Sequence, residues 1–290
     1  MTPRQLYKTC LVFVFLSSQA MAASVWSRSW DSVDELSLVL KAVPSGRALW
    51  QRALGRDPQL SSRIRRARSS FTESTYLRSY RVNDATGVVS LRHEIFLGEK
   101  LTLAEAVLDL AHELHHYLHR QVMNPYDASL RPEDFVRGGI EGVGGELEAF
   151  EAECRIAWEL TVRYDGFPDH PLCGRYRVGD SGFHRERARL DYYAVGDALP
   201  GLRGKLMDPE RGLPLLHDAG VVFRSGHAGV AYPLALVREF SDTVASACRN
   251  NERKARMIAA HGGRAPATLQ PALQQEQKRI LDFQRQRCRK

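Results

Sequence analysis

Between Leu103 and Leu118 the apolar side chains recur as one face of a helix would have them. Leu103, Val107, Leu110, Ala111, Leu114 and Leu118 share one side of a helical wheel, and Glu105, His112, His116 and His119 share the other. Thr102-Leu103-Ala104-Glu105 just upstream has the form of a capping box, so the pattern predicts a helix from about Thr102 to Arg120. A second amphipathic stretch opens at Gly144-Gly145-Glu146 and runs to about Tyr164. Its core face carries Ala149, Phe150, Ile156, Ala157, Leu160 and Tyr164. Its polar face carries Glu148, Glu151 and Glu159 with Arg155 and Arg163, spaced for Glu151/Arg155 and Glu159/Arg163 surface pairs.

The rest of the chain is read by the same rules. Ser32-Val33-Asp34-Glu35 predicts a capped helix to about Lys41, and Gly46 to Leu54 a second. Leu77 to Val82 is extended, Asn83 to Gly87 is a turn, and Val88 to Leu97 returns as a strand, giving a hairpin before the Thr102 helix. Gln121 to Val143, broken by Pro125, Pro132 and several glycines, is expected to be a surface loop. Further helices are expected from near Pro233 to about Asn250 and in the Gln/Arg-rich C-terminal stretch. The implied fold class is α+β, with a small sheet near the N-terminus and a mainly helical C-terminal half.

Chemistry enters at His112-Glu113-Leu114-His115-His116. Two imidazoles four residues apart on a helix are separated by about 6 Å of rise, so both can reach one metal ion while the intervening glutamate reaches a water on it. A lone helical histidine is ordinarily a core or surface residue. Here the pair faces away from the apolar stripe with Glu113 beside it. A zinc site needs a third protein ligand. His119 lies about 10 Å along the axis from His112, too far to share the ion. The metzincin pattern fails as well, because Val122 and His119 stand where its histidine and glycine belong. A glutamate on the second helix remains. Glu146 and Glu153 are the two that sit amid its apolar residues, where a carboxylate is costly unless paired or metal-bound. Glu146 is the preferred third ligand, with Glu153 as its runner-up or as an acceptor behind a histidine.

With these residues in place the chain resembles the gluzincin metallopeptidases, whose zinc is held by the two histidines of a His-Glu-x-x-His helix and by a glutamate on a following helix. Glu146-Leu147-Glu148-Ala149 is similar to the Glu-x-x-Ala stretch at their third-ligand position. An aspartate commonly comes next there, whereas this chain has Phe150, so Asp109, Glu105 or Glu153 would have to orient the histidines. The resemblance covers about Val88 to Tyr164. It implies a zincin-like fold of two parts, an N-terminal α+β lobe over 23–120 with the His112 helix and a helical lobe over 121–290 with the third ligand. It also implies that the strand before the helix edges a cleft and pairs with extended substrate.

Composition adds the compartment. Met1 to Ala22 carries Arg4 and Lys8, then an apolar run, then Ala20-Met21-Ala22, the three parts of a cleavable signal peptide. Secretion or periplasmic delivery is expected, with no membrane association after cleavage. Cleavage removes two of the 41 basic residues and none of the 34 acidic ones, leaving 39 against 34, an excess of five. The densest basic run, Arg63 to Arg68, lacks interleaved aromatics and reads as a solvated face, so nucleic acid is not an expected partner. Cys154, Cys173, Cys248 and Cys288 form an even set, for which the sequence-local pairing, 154 with 173 and 248 with 288, is preferred.

The function expected from these readings is a secreted zinc peptidase with one Zn2+ on His112, His116 and Glu146, Glu113 as general base, and a peptide or protein as substrate. Tyr192, Tyr193, His217, His227 and Tyr232 are candidate oxyanion donors, with His227 or Tyr232 preferred. An exported, non-catalytic metal-binding or scaffold protein and a hydrolase of cell-wall amides are the competing readings.

Overall fold

The computed structural model describes residues 25–81, 84–206, 215–226 and 228–288, so the expected signal peptide over Met1 to Ala22 and the candidate His227 lie outside it. In chain order the main elements are α1 (Val33–Lys41), α2 (Pro44–Arg56), α3 (Leu60–Arg63), β1 (Ile64–Ala67), β2 (Phe71–Arg81), β3 (Asp84–Gly98), α4 (Leu103–His119), α5 (Pro132–Glu141), α6 (Glu146–Arg163), β4 (Arg177–Val178), β5 (Gly182–Phe183), α7 (Arg185–Tyr192), α8 (Leu199–Leu206), α9 (Tyr232–His261) and α10 (Gln270–Phe283). None of the described helices is long and apolar enough to cross a membrane.

The chain divides into two compact units, each assembled from three segments. The first takes the chain up to Glu73 with Glu94–Arg120 and Val143–Arg189; the second takes Ser74–His93, Gln121–Gly142 and Leu190 onward. This differs from the expected chain-order division, because α4 and α6, the two helices carrying the candidate ligands, belong to the same unit.

In the first unit α4 packs against α1, α2 and α6. Its start is fixed by the capping box. Thr102 Oγ1 accepts from the Glu105 amide at 3.3 Å and the Glu105 carboxylate accepts from the Thr102 amide at 2.8 Å. The Ser32 motif forms only half of such a box. Ser32 accepts from the Glu35 amide, but Glu35 turns to the Asp31 amide and to Arg28. Leu103, Val107, Leu110, Ala111 and Leu114 of the expected stripe are buried and Leu118 is half-buried, each fully buried leucine stabilising the fold by about 2 kcal/mol. Part of the other side is covered as well, with Glu113 and His116 buried, His112 and His119 half-buried and Glu105 exposed, because α6 lies along it.

A three-stranded sheet has the order β1-β3-β2. β3 therefore lies in the middle, and β1 runs parallel to it with Ile64 opposite Ile95 and Ala67 opposite Gly98. This corrects one expectation, since the strand before α4 is not an edge strand where β1 pairs with it over Ile95 to Gly98. The basic run Arg63 to Arg68 supplies that neighbour, and Arg65, Arg66 and Arg68 stay exposed, as the solvated face of a strand would be. Arg66 explains how so charged a segment can pair there, since its guanidinium lies 3.9 Å from the Trp30 ring centroid and donates to the Asp31 carbonyl at 2.9 Å. β3 also begins at Asp84, inside the stretch expected to be a turn.

In the second unit the expected loop 121–143 contains α5. Pro132 at the first helical turn, Glu133 and Asp134 behind it, and buried Phe135, Val136, Gly139 and Ile140 satisfy the helix rules despite two glycines. Those glycines are packing residues: a Cβ on Gly139 would sit 2.9 Å from Leu236, and one on Gly138 would sit 3.2 Å from Met123. α9 runs eleven residues past Asn250, since Ala247, Asn251, Lys254 and Ile258 continue its buried stripe. Disulfides join Cys154 to Cys173 in the first unit and Cys248 to Cys288 in the second.

Candidate metal centre

α4 and α6 bring three donors together. His112 Nε2 and His116 Nε2 are 3.1 Å apart, Glu146 Oε2 is 3.3 Å from His112 Nε2, and Glu146 Oε1 is 3.5 Å from His116 Nε2. Ligands bound at about 2.0–2.1 Å in a tetrahedron stand about 3.3 Å from one another, so the three donors are spaced as three corners of a zinc tetrahedron would be. The residues fit the ion that the motif implies. Glu153 is not part of this triangle.

Both histidines have their second nitrogen engaged. His112 Nδ1 is 2.8 Å from Glu153 Oε2, and His116 Nδ1 is 2.8 Å from the Gly144 carbonyl. With acceptors at Nδ1 the protons belong there, which leaves the Nε2 lone pairs for a metal. Glu153 thus takes the orienting role, one helical repeat beyond Glu146 on the same face of α6. Phe150, at the position where the gluzincin pattern has an aspartate, packs its ring against Tyr176, Phe183 and His170. The other two orienting candidates are occupied elsewhere. Glu105 caps α4, and Asp109 bonds Ser70 and is pushed up to about 7 by burial and by the carboxylates of Glu153 and Glu113.

The charges of the cluster are strongly perturbed. Burial works to raise the Glu146 carboxyl, but the His116 and His112 imidazoles outweigh it and hold the group well below the usual carboxylate range. Glu153 is buried as well, yet the hydrogen bonds to His112 and His170 bring it down to about 2. Burial works against a charged His112, whereas Glu146 and Glu153 hold its imidazolium well above the ordinary value. Two buried carboxylates facing two imidazoles demand positive charge, which a proton or a divalent cation can supply. His115 and His119 pair with each other on the flank, ring centroids 4.7 Å apart. Burial and the neighbouring histidines push His115 down to about 4.

Glu113 is 7 % exposed, and its Oε2 lies 2.6 Å from the Thr72 hydroxyl of β2. Two surface assignments on α6 need correction. Glu148 is half-buried and accepts from the Gly144 amide at 2.8 Å, so it holds the turn that presents the Gly144 carbonyl to His116. Glu159 accepts from the Ser45 amide at 2.9 Å at the start of α2 instead of pairing with Arg163. Only the Glu151/Arg155 pair forms, at 3.4 Å.

Sequence reasoning missed Thr72, Gly144 and His170. Gly144 left a trace in the Gly-Gly pair ahead of α6, and His170 one in its spacing of three from Cys173. Thr72 left none. Of the oxyanion candidates, Tyr232 opens α9 in the second unit with its ring 5.2 Å from that of Tyr192. Tyr192 stacks on Phe223, Tyr193 donates to Glu141 at 2.6 Å, and His217 Nε2 meets the Leu190 carbonyl at 2.9 Å. These three serve the packing of that unit.

Comparison with protein-family models, with curated proteins and with solved structures returns no match, so the site itself carries the functional argument.

Proposed function

We propose that this protein is a zinc-dependent metallopeptidase of gluzincin type, acting outside the cytoplasm on peptide or protein substrates. The observation that carries the reading is the triangle of His112 Nε2, His116 Nε2 and Glu146, with both Nδ1 atoms anchored behind it. A single zinc ion bound there would supply a Lewis acid for a scissile carbonyl and make a water acidic enough to attack near neutral pH. Glu113 would serve as the general base, accepting the proton of the attacking water and returning it to the leaving amine as the C–N bond breaks. Thr72 holds the Glu113 carboxylate for this exchange. The two disulfides suit an oxidising compartment, where a signal peptide over Met1 to Ala22 would deliver the chain.

The test is elemental analysis of the purified mature chain together with mass-spectrometric digestion of a diverse peptide library. One zinc per chain and cleavage at defined bonds are expected. Glu113→Gln should keep the zinc and lose turnover by several orders of magnitude. A metal-loaded wild type that cleaves nothing in the library would end the peptidase reading and leave the metal site standing.

A further inference from the structure

We propose that His170 is a positioning residue for the metal centre, acting through Glu153 on His112 and held in place by the Cys154–Cys173 disulfide. The inference rests on the zinc reading of the triad and extends it outward by one residue. His170 Nε2 lies 3.1 Å from Glu153 Oε1, while the other oxygen of the same carboxylate takes the His112 Nδ1 proton at 2.8 Å. The roles along this chain are fixed by the backbone. His170 Nδ1 accepts from the amides of Leu172 and Cys173 at 3.2 and 3.1 Å, so it carries no proton. The proton of the neutral ring therefore sits on Nε2 and points at Glu153.

Glu153 needs such a partner. Its carboxylate is buried on α6 among apolar residues, and His112 engages one oxygen only. A second donor stops it from rotating away and keeps the His112 ring in the plane that aims Nε2 at Glu146. The disulfide completes the arrangement. Cys154 follows Glu153 directly on α6, and Cys173 supplies one of the two amides that fix His170. The bond thus ties the carboxylate's own helix to the turn that carries its donor, and Phe150 packs against the imidazole at a ring-centroid distance of 5.9 Å.

A purely structural role competes with this one, because an acceptor at residue 170 also caps the short turn beginning at Cys173. Two substitutions separate the roles. In His170→Asn the amide oxygen can replace Nδ1 as acceptor for the turn, but the side chain is too short to reach Glu153. In His170→Gln the amide nitrogen can replace Nε2 as donor to Glu153, and the turn acceptor is lost. The measurement is the zinc dissociation constant of the full mature chain, by competition with a chromophoric chelator, for wild type, His170→Ala, His170→Asn and His170→Gln. Outer partners of metal-bound histidines set affinity by about 10–100-fold, so Ala and Asn should each weaken binding by about tenfold, with Gln within about threefold of wild type.

Asn binding as tightly as or more tightly than Gln assigns His170 to the turn and overturns the proposal, as does wild-type affinity in all the variants or Gln no better than Ala. Should His170→Ala not fold, the order of Asn and Gln decides alone. A folded wild type with no measurable zinc affinity overturns the metal reading itself, a result distinct from every ordering among the variants.

Discussion

Glu153 Oε2 stands 2.8 Å from His112 Nδ1, and Glu146 Oε2 stands 3.3 Å from the Nε2 of the same ring. One imidazole is held from both sides by carboxylates of a single helix, seven residues apart. Seven residues are close to two turns, so both side chains leave α6 on the same face, about 10 Å apart along its axis. On the proposed reading one carboxylate binds the metal and the other orients the ring.

That division of labour predicts different outcomes for three glutamines. Glu146→Gln should remove most zinc binding, since two imidazoles alone make a poor site. Glu153→Gln should keep a weakened site, with affinity down by about 10–100-fold, the usual effect of losing an orienting acceptor. Glu151→Gln, on the face where Arg155 and Arg185 are its partners, should change neither. Zinc titration of all three checks the assignment; metal retained by Glu146→Gln and lost by Glu153→Gln would exchange the two roles.

Thr72→Val tests the general-base arrangement without touching a metal ligand. The hydroxyl has one proton and two acceptors, the Glu113 carboxylate at 2.6 Å and the Glu113 carbonyl at 3.0 Å, and the shorter contact claims it. Valine keeps the shape and removes the donor. Zinc content should be unchanged, and turnover should fall by roughly tenfold, the worth of one hydrogen bond to a charged group. An unchanged kcat, measured on a substrate found by library digestion, would show that Glu113 needs no support from β2.

How legible all this was depended on distance along the chain. α4 and α6 could be read because their periodicity, the Thr102 capping box and the carboxylates inside an apolar stripe are local signals. Thr72 could not, because its bond spans 41 residues and a threonine in a strand is ordinary. α5 was hidden by Gly138 and Gly139, which look like loop residues until Met123 and Leu236 are seen filling the space above them. The position of β3 within the sheet was hidden by the arginines of β1. The wheel placed Glu148 and Glu159 correctly on a polar face, but it could not know that the Gly144 and Ser45 amides wait on that face.

Gly144 has φ +67, and a Cβ there would lie 2.2 Å from the Arg120 amide nitrogen and 2.3 Å from the His119 carbonyl carbon. Gly144→Ala should therefore cost about 1–2 kcal/mol from the left-handed backbone alone, before the clash with the end of α4 is counted. The displaced carbonyl would also release His116 Nδ1, so zinc affinity should fall along with stability. Urea denaturation and chelator competition measure the two effects, and an alanine variant as stable as wild type would rule out this backbone constraint.

Cys154, Cys173, Cys248 and Cys288 should be fully oxidised in the mature chain exported as proposed. Closing chain segments with separations of 19 and 40 residues should contribute about 3 and 4 kcal/mol respectively if the bonds act mainly on the unfolded chain. Thiol titration of the unfolded, unreduced protein should find no free thiol, and four would contradict both bonds.

The second unit offers a prediction independent of any metal. Lys254 and Glu276 form an ion pair between α9 and α10, both about 8 % exposed, beside a small core of Ile258, Leu273 and Ile280. Asn251 and Lys254 interrupt the apolar pattern of α9, which is why the sequence suggested an end near Asn250. A buried pair of this kind adds little net stability, since desolvation offsets attraction, but losing one partner strands the other. Lys254→Met should thus destabilise by about 3 kcal/mol, because Arg279, 3.7 Å from the other Glu276 oxygen and facing solvent, compensates only in part. Lys254→Met with Glu276→Leu should recover most of that loss. Urea denaturation followed by circular dichroism measures both variants. A single variant as stable as wild type would mean that Glu276 regains water on losing its lysine, and a double variant no better than the single one would mean that the pair supplies packing which Met and Leu cannot replace.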